Sequence, residues 1–157
     1  MLNFAKNGGT LVVQYGQYEM MRPGMMPYQI AISRPHDRVT EETAPITIID
    51  ASSSVLKSPN PITTADFSDW VQERSLYMPR TFDAHYHPLV ELNDPGEQPN
   101  KGAILIAPYG RGVYVYTTLA FFRQLPAGVG GAARLFVNLL SLKSAAMPSR
   151  TAAGSDQ

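Results

Sequence analysis

Apolar runs of about six residues alternate with glycine- and proline-rich segments along most of the chain. Residues 2–6 fit the last turns of a helix, and the Asn-Gly-Gly at 7–9 supplies the left-handed backbone positions that end one. Residues 10–15, TLVVQY, form an apolar, β-branched run typical of a strand buried on both faces of a parallel sheet. The opening pattern therefore predicts a helix that leads into a parallel strand.

The middle of the chain predicts short elements separated by turns. Residues 16–27, rich in Gly, Met, Arg and Pro, indicate an exposed loop. Short strands are expected at residues 28–32, 46–50 and 89–92. Residues 52–58 fit one helical turn, which the prolines at 59 and 61 end. Residues 64–74 fit a short helix capped by Thr64 or Asp66, with apolar residues at helical spacing.

The last third predicts a hairpin followed by an amphipathic helix. Residues 102–108 and 112–119 are apolar runs joined by a tight turn, which favours antiparallel pairing. In the second run, Val113 and Val115 share one face and Tyr114 and Tyr116 share the other. A helical stripe follows, formed by Val129, Ala132, Ala133, Phe136, Leu139 and Leu140. The tail at 143–157, rich in Ala, Ser and Gly, is expected to be disordered.

These elements predict one α/β domain over residues 1–142. A helix that leads into a buried strand normally follows another strand in a βαβ succession, so the domain is expected to lack an upstream portion. A length of 157 residues suits a single domain.

Composition excludes several classes of function. Thirteen basic and thirteen acidic residues give zero net charge, so no broad field attracts nucleic acid. The absence of cysteine excludes disulfides and thiol chemistry. No apolar run approaches the roughly 20 residues that span a bilayer, and the first ten residues carry no secretion signal.

Two histidines form the first candidate site. In an extended segment His85 and His87 point to the same side, where both could approach one divalent metal ion, with Asp83 or Glu91 adding oxygen ligands. No third ligand is identified, so a solvated loop is the favoured interpretation and no cofactor is expected.

Methionine and glycine clusters allow two further binding hypotheses. The thioethers that could hold Cu(I) belong to Met20, Met21, Met25 and Met26, although filling an irregular apolar contact explains them better. Gly128, Gly130 and Gly131 precede the last helix, where a phosphate could bind. Their spacing departs from the dinucleotide fingerprint, so tight helix entry is favoured.

No catalytic constellation can be assembled from the polar residues. The charged residues on or near the helix predicted at 64–74, expected to form a solvated face, are Asp66, Asp69, Glu73 and Arg74. No second acid can be placed opposite them. The serines at 52–54 lack the setting of a nucleophile elbow.

The best candidate binding residues follow the last strand. Arg123 and Gln124 stand where that strand meets the last helix, the kind of sheet edge at which α/β proteins bind ligands. An arginine that ties loop carbonyls together is an equally good explanation of Arg123.

Four segments carry a family resemblance that covers residues 8–142. They are GGTLVVQY, RVTEETAPITIID, TADFSDWVQERSLYMP and NDPGEQPNKGAILIAPYGRGVYVYTTLAFFRQLPAGVGGAARLFVNLLSL. Together they resemble the C-terminal region of a set of bacterial PIG-L (LmbE-like) deacetylases. The resemblance implies a class I glutamine-amidotransferase-like domain, related to trehalose-utilisation-type proteins, with a flavodoxin-like layered sheet and flanking helices. It also implies a bacterial protein, cytoplasmic or exported as part of a longer parent chain.

The activities of that family do not carry over to these residues. The deacetylase motif is of the H-P-D-D-E type, and the nearest string, PHDR at 35–38, does not reproduce it. Glutaminase activity needs a cysteine nucleophile, which the chain lacks. The family pattern does not emphasise the HYHP segment that contains His85 and His87.

The sequence therefore favours a noncatalytic accessory module that binds a carbohydrate-like ligand or packs on a deacetylase domain. The expected ligand-binding residues, with aromatic faces and polar anchors, are Arg123, Gln124, Trp70, Glu73, Tyr77, Asp94 and Tyr109. Two alternatives remain open: a small hydrolytic or oxidative metalloenzyme that uses His85 and His87, and an oligomerising structural module.

Overall fold

The computed structural model describes residues 1–143 and shows a mixed α/β protein with few helices. Its helices are α1 (Leu2–Lys6), α2 (Phe121–Gln124) and α3 (Gly130–Leu140). Its strands are β1 (Thr10–Gln14), β2 (Ile30–Val39), β3 (Ile46–Ile48), β4 (Ser75–Phe82), β5 (His87–Pro88), β6 (Val90–Leu92), β7 (Ile104–Tyr109) and β8 (Gly112–Thr117). Single 3₁₀ turns span Tyr18–Met21, Ser54–Leu56 and Thr64–Phe67.

The central sheet has the order β1-β8-β7-β5 and mixes parallel with antiparallel pairs. Strands β7 and β8 form the predicted hairpin, and Gly110 supplies the positive φ of 59° in its turn. Strand β1 pairs in parallel with β8, so Gln14 lies opposite Thr117. The prediction of a parallel strand is confirmed, but β1 lies at an edge of the sheet and is half-buried because only one neighbour covers its backbone.

Each face of this sheet contributes to a separate hydrophobic core. Val113 and Val115 point into the core that contains Leu135 and Leu139 of α3, so the predicted helix is confirmed. Its buried face differs in part from the predicted stripe, because Ala133 and Leu140 are exposed and Leu135 is buried. Tyr114 and Tyr116 point into the second core, beneath the loop that follows β1. The face assignment made from the alternating pattern of β8 is therefore confirmed.

The other strands form two antiparallel ribbons, β2 with β4 and β3 with β6. Strand β4 contacts the segment just past the end of β8, where Ser75 forms an isolated antiparallel bridge with Leu119 and the N–H of Leu76 donates to the carbonyl of Thr118 at 3.1 Å. The strand predicted at 28–32 is longer than expected, since β2 runs from Ile30 to Val39.

The helix predicted over residues 64–74 is wrong. Only one 3₁₀ turn forms, capped by Thr63 rather than by Thr64 or Asp66. Asp69 and Gln72 then take positive φ values of 60° and 57°, which a helix cannot contain. The apolar spacing at 67, 70 and 71 arises instead from a compact loop that buries Phe67 and Trp70.

No helix in the described range 1–143 is long and apolar enough to cross a membrane. The tail predicted to be disordered at 143–157 falls, apart from its first residue, outside the described residues.

Candidate functional site

The candidate site lies where the parallel strands β1 and β8 end side by side. The N–H of Tyr15, the first residue after β1, donates to the carbonyl of Thr117 at 2.5 Å. Phe122 follows β8 in helix α2, and its ring stacks on Tyr15 with 4.9 Å between centroids. Ligands of open α/β sheets bind outside the carboxyl ends of strands, so this edge is the first place to look for a site.

Four aromatic rings form a continuous row at this edge, in the order Tyr18, Tyr77, Tyr15 and Phe122. We call them the aromatic row. Tyr77 contacts both Tyr18 and Tyr15, with centroids 6.0 Å apart in each case. The three tyrosines are half-buried and Phe122 is 42% exposed, so the row is partly accessible to solvent. His36 stacks on Tyr77 at 4.0 Å and covers one face of this ring in the middle of the row.

Two members of the aromatic row have strained backbones. Tyr15 has φ of 42° and Tyr77 has φ of 56°, values at which a bulky side chain is an outlier. Each such residue costs about 1–3 kcal/mol and persists only where its surroundings enforce it, most often at functional sites. The strained backbones therefore indicate that the surrounding structure fixes the positions of these two rings despite the cost in backbone energy.

A guanidinium group lies at each end of the aromatic row. The Cζ of Arg34 is 3.8 Å from the ring centroid of Tyr18, and that of Arg123 is 5.1 Å from the centroid of Phe122. The Nε of Arg123 also donates to Glu73 Oε1 at 2.6 Å. Ring faces flanked by cations and one carboxylate are suited to binding a ligand with both apolar faces and polar substituents.

Gln124 holds the backbone behind the site. Its side chain is fully buried, its Oε1 accepts from the N–H of Val71 at 2.8 Å, and its Nε2 donates to the carbonyls of Val71 and Glu73. The carbonyls of this loop are thus tied by Gln124, while Arg123 pairs with Glu73. Among the residues predicted to bind ligand, Arg123, Glu73 and Tyr77 come together, and Gln124 supports them from inside.

Three other predicted ligand-binding residues lie elsewhere. Trp70 is 3% exposed and donates its indole N–H to the carbonyl of Asp66 at 3.0 Å, so its faces are not open to a ligand. Tyr109 ends β7 opposite Gly112, at the far end of the sheet from the aromatic row. Asp94 is buried beneath the end of β2.

Two of the four charged residues near 66–74 are buried instead of lying on a solvated face, whereas Asp69 is exposed and Glu73 is half-buried. Asp66 and Arg74 are 7% and 6% exposed. Asp66 accepts from the Nε of Arg134 at 2.9 Å, and Arg74 donates from Nη1 to the carbonyl of Phe67 at 2.8 Å. Both are buried because the compact loop that replaces the predicted helix holds Asp66 against α3 and Arg74 against the carbonyl of Phe67.

Asp94 acts as a structural anchor for the start of the loop after β2. Its carboxylate accepts from the N–H groups of Thr40 and Glu41, at 2.9 Å each, and from the Thr40 hydroxyl at 2.8 Å. Burial alone would raise the pKa of the Asp94 carboxyl. The hydrogen bonds from Glu41 and Thr40, together with nearby Arg38, outweigh burial and hold the pKa below its usual range.

The lowered pKa of Asp94 gives a pH-dependent contribution to stability. A carboxyl whose pKa is lower when folded stabilises the protein above its unfolded pKa, about 4, and loses that effect as pH falls through the folded value. Asp94→Asn should therefore lower the free energy of unfolding most at neutral pH, by about 1–2 kcal/mol, with the difference from wild type shrinking below about pH 4. Urea unfolding between pH 7 and pH 2.5 measures this.

The control for Asp94 is Asp69→Asn, which removes an exposed carboxylate at a left-handed position that asparagine tolerates. Its unfolding free energy should stay within about 0.5 kcal/mol of wild type. A difference for Asp94→Asn that did not change with pH would contradict the assignment.

The two histidines do not occupy the extended segment assumed for them. Residues 84–85 form a turn closed by the N–H of Tyr86 and the carbonyl of Asp83. The ring of His85 stacks on Tyr28 at 4.1 Å, with its Nδ1 2.6 Å from Asp83 Oδ1, while His87 lies in β5. Within residues 1–143, no group of three or more His, Cys, Asp or Glu side chains is arranged to hold a metal ion.

Two of the four methionines and one of the three glycines have structural roles in the fold. Met21 Sδ accepts from the N–H of Ile32 at 3.3 Å, and Met20 packs into the second core. A cavity of about 340 Å³ lies among residues 20–30. At the start of α3, any Cβ on Gly131 would overlap the carbonyl of Asp66, so this glycine allows close packing of helix on loop.

Sequence reasoning missed five members of the site: Tyr15, Tyr18, Phe122, Arg34 and His36. Two of them carried a usable signal, since Tyr15 directly follows a predicted parallel strand and Phe122 directly precedes Arg123. Tyr18 reaches the edge from the loop after β1, and Arg34 and His36 reach it from β2. No periodic pattern in the sequence predicts the paths of these two segments.

Comparisons with protein-family models, with curated proteins and with solved structures found no match to this chain.

Proposed function

We propose that this domain is a noncatalytic binding module whose ligand is a carbohydrate held on the aromatic row. The observation that carries the proposal is the row itself: four rings in continuous contact at the carboxyl ends of two parallel strands, two of them on strained backbone. A row of rings suits a ligand of several ring units with apolar faces, and the flanking Arg34, Arg123 and Glu73 suit its hydroxyl and charged groups.

The family context is a further part of the proposal. The residues at 8–142 resemble the C-terminal region of PIG-L deacetylases, so the module would accompany a deacetylase in carbohydrate or glycoconjugate metabolism. In that setting the sheet would be one part of a flavodoxin-like layered sheet. The free edge of β1, which has β8 as its only partner in the described sheet, would accept a further parallel strand from an upstream portion of the domain.

Phe122→Ala tests the proposed ligand site. Removing this ring should weaken binding of a carbohydrate ligand about tenfold, because the stacking surface at one end of the row is lost. The side chain is 42% exposed, so the fold should survive. Soluble oligosaccharides are screened on an array, and the strongest binder is titrated against wild type and variant by calorimetry.

The matched control is Val137→Ala, which removes an apolar side chain that is 45% exposed on α3, away from the row. It should leave the affinity unchanged. Absence of any oligosaccharide binding by the wild type at millimolar concentration would refute the proposed function.

An oligomerising module is the second candidate, favoured by the open edge of β1 and by the exposed Val137 and Leu140 on α3. Light scattering decides this point. A monomer that persists at high protein concentration would exclude self-association as the role of this chain.

A further inference from the structure

The two guanidinium groups at the aromatic row, those of Arg34 and Arg123, differ in whether a carboxylate neutralises them. Arg123 is neutralised by Glu73, whose carboxylate oxygen lies 2.6 Å from its Nε. Among residues 1–143, no carboxylate lies within ion-pair distance of Arg34, whose contact is with the ring face of Tyr18. One end of the row is therefore electrically balanced, and the other carries an uncompensated positive charge.

The position of Arg34 prepares it to bind an anion beside a ring. The Cζ of its guanidinium lies 3.8 Å from the centroid of Tyr18, and this contact with the ring does not use the N–H donors of the group in an ion pair. Arg34 is itself exposed, so an approaching ligand can reach those donors. A guanidinium binds carboxylate, sulfate or phosphate through two parallel hydrogen bonds.

A second nitrogen donor lies next to Arg34 along the row. His36 is two residues further along β2 and stacks on Tyr77, the ring that touches Tyr18. Neighbouring Asp37 does not cancel the charge of Arg34, since its carboxylate is bonded to Arg80 and to the amide of Asn100. Arg34 and His36, the two side chains that β2 adds to the row, can thus both donate hydrogen bonds to an anion.

We propose, on the basis of the proposed glycan site, that the ligand is an acidic glycan: an oligosaccharide whose sugar rings lie on the aromatic row while an anionic substituent binds Arg34. The anionic group is a uronic carboxylate or a sulfate ester, since both match the donor geometry of a guanidinium. The pairing of Arg123 with Glu73 leaves the opposite end for neutral hydroxyl groups.

Calorimetric titration with three probes of equal length tests the proposal: a uronic-acid oligosaccharide, its carboxyl-reduced neutral counterpart and a sulfated oligosaccharide. Wild type should prefer at least one acidic probe to the neutral one by about tenfold, and the preference should shrink as salt is raised. Arg34→Gln should bring the ratio of acidic to neutral affinity close to one. The acidic probe with the higher affinity shows whether Arg34 prefers a carboxylate or a sulfate.

Arg111→Gln is the control for net charge, because Arg111 lies in the β7–β8 turn at the opposite end of the sheet and bonds the carbonyl of Asn7. It should keep the wild-type ratio. Equal binding of acidic and neutral probes by wild type, or the same loss of ratio in both variants, overturns the acidic-glycan proposal and leaves glycan binding intact. Failure of every probe to bind overturns both.

Discussion

Asn138→Ala is expected to lower the free energy of unfolding by about 3–4 kcal/mol. The Asn138 side chain is fully buried on α3, and its amide is completely hydrogen-bonded. Its Oδ1 accepts from the backbone and side-chain N–H groups of Asn60, at 3.0 Å each, and its Nδ2 donates to the carbonyls of Val55 at 2.6 Å and Asn60 at 2.7 Å. Alanine would leave several buried backbone groups without partners, each at a cost of about 1–3 kcal/mol before the site relaxes.

Urea unfolding of Asn138→Ala, followed by circular dichroism, measures this effect. Asn3→Ala serves as the control because Asn3 is exposed on α1. That substitution should change the unfolding free energy by less than about 0.5 kcal/mol. A loss below about 1 kcal/mol for Asn138→Ala would mean that water replaces the amide and that Asn138 does not hold residues 55–60 against α3.

Gly131→Ala is expected to destabilise the protein by about 2–4 kcal/mol, although alanine usually favours a helix. A Cβ at this position would overlap the carbonyl oxygen of Asp66, which is backbone and cannot move aside as a flexible side chain would. Helix α3 and the turn at Thr64–Phe67 would have to separate, and the ion pair between Asp66 and Arg134 would be strained.

Gly130→Ala is the matched control, one residue away in the same helix. Its Cβ would meet only Arg134 Nη1, at 3.5 Å, which is an ordinary contact. Alanine there should leave stability unchanged or raise it by up to about 0.5 kcal/mol, through helix propensity and the smaller entropy of the unfolded chain. Thermal unfolding of both variants compares them, and equal stability would show that the approach of α3 to Asp66 is not tight.

The fold was predictable where one element buries one regular face. The alternation in β8 encodes directly which residues meet each core, so the hairpin and its faces were correct. The three-and-four spacing located the last helix, but Ala133 and Leu140 of the predicted stripe are exposed and Leu135 is buried. The loop at 68–74 was not predictable, because its path depends on distant partners: Gln124 for Val71, and Val39 for Arg74. Such contacts leave no periodic trace in the residues they hold.

The candidate site was predictable only in part, for the same reason. Arg123 could be placed because it follows the last strand, and the topology of the sheet then fixes the edge. Tyr15 and Tyr77, about 60 positions apart, meet because β4 contacts the segment just past the end of β8, where Ser75 bridges Leu119. Trp70 misled the prediction because a large aromatic side chain serves equally well as a ligand surface or as core.

The strained tyrosines couple their backbone conformation to the contacts of their rings. Glycine at position 15 or 77 would relieve the positive φ, but it would remove a half-buried ring and raise the entropy of the unfolded chain. The same change would break the contacts that this ring makes in the aromatic row. Stability and the integrity of the row therefore depend on the same two side chains, and a thermostabilised variant should be designed with both tyrosines kept fixed.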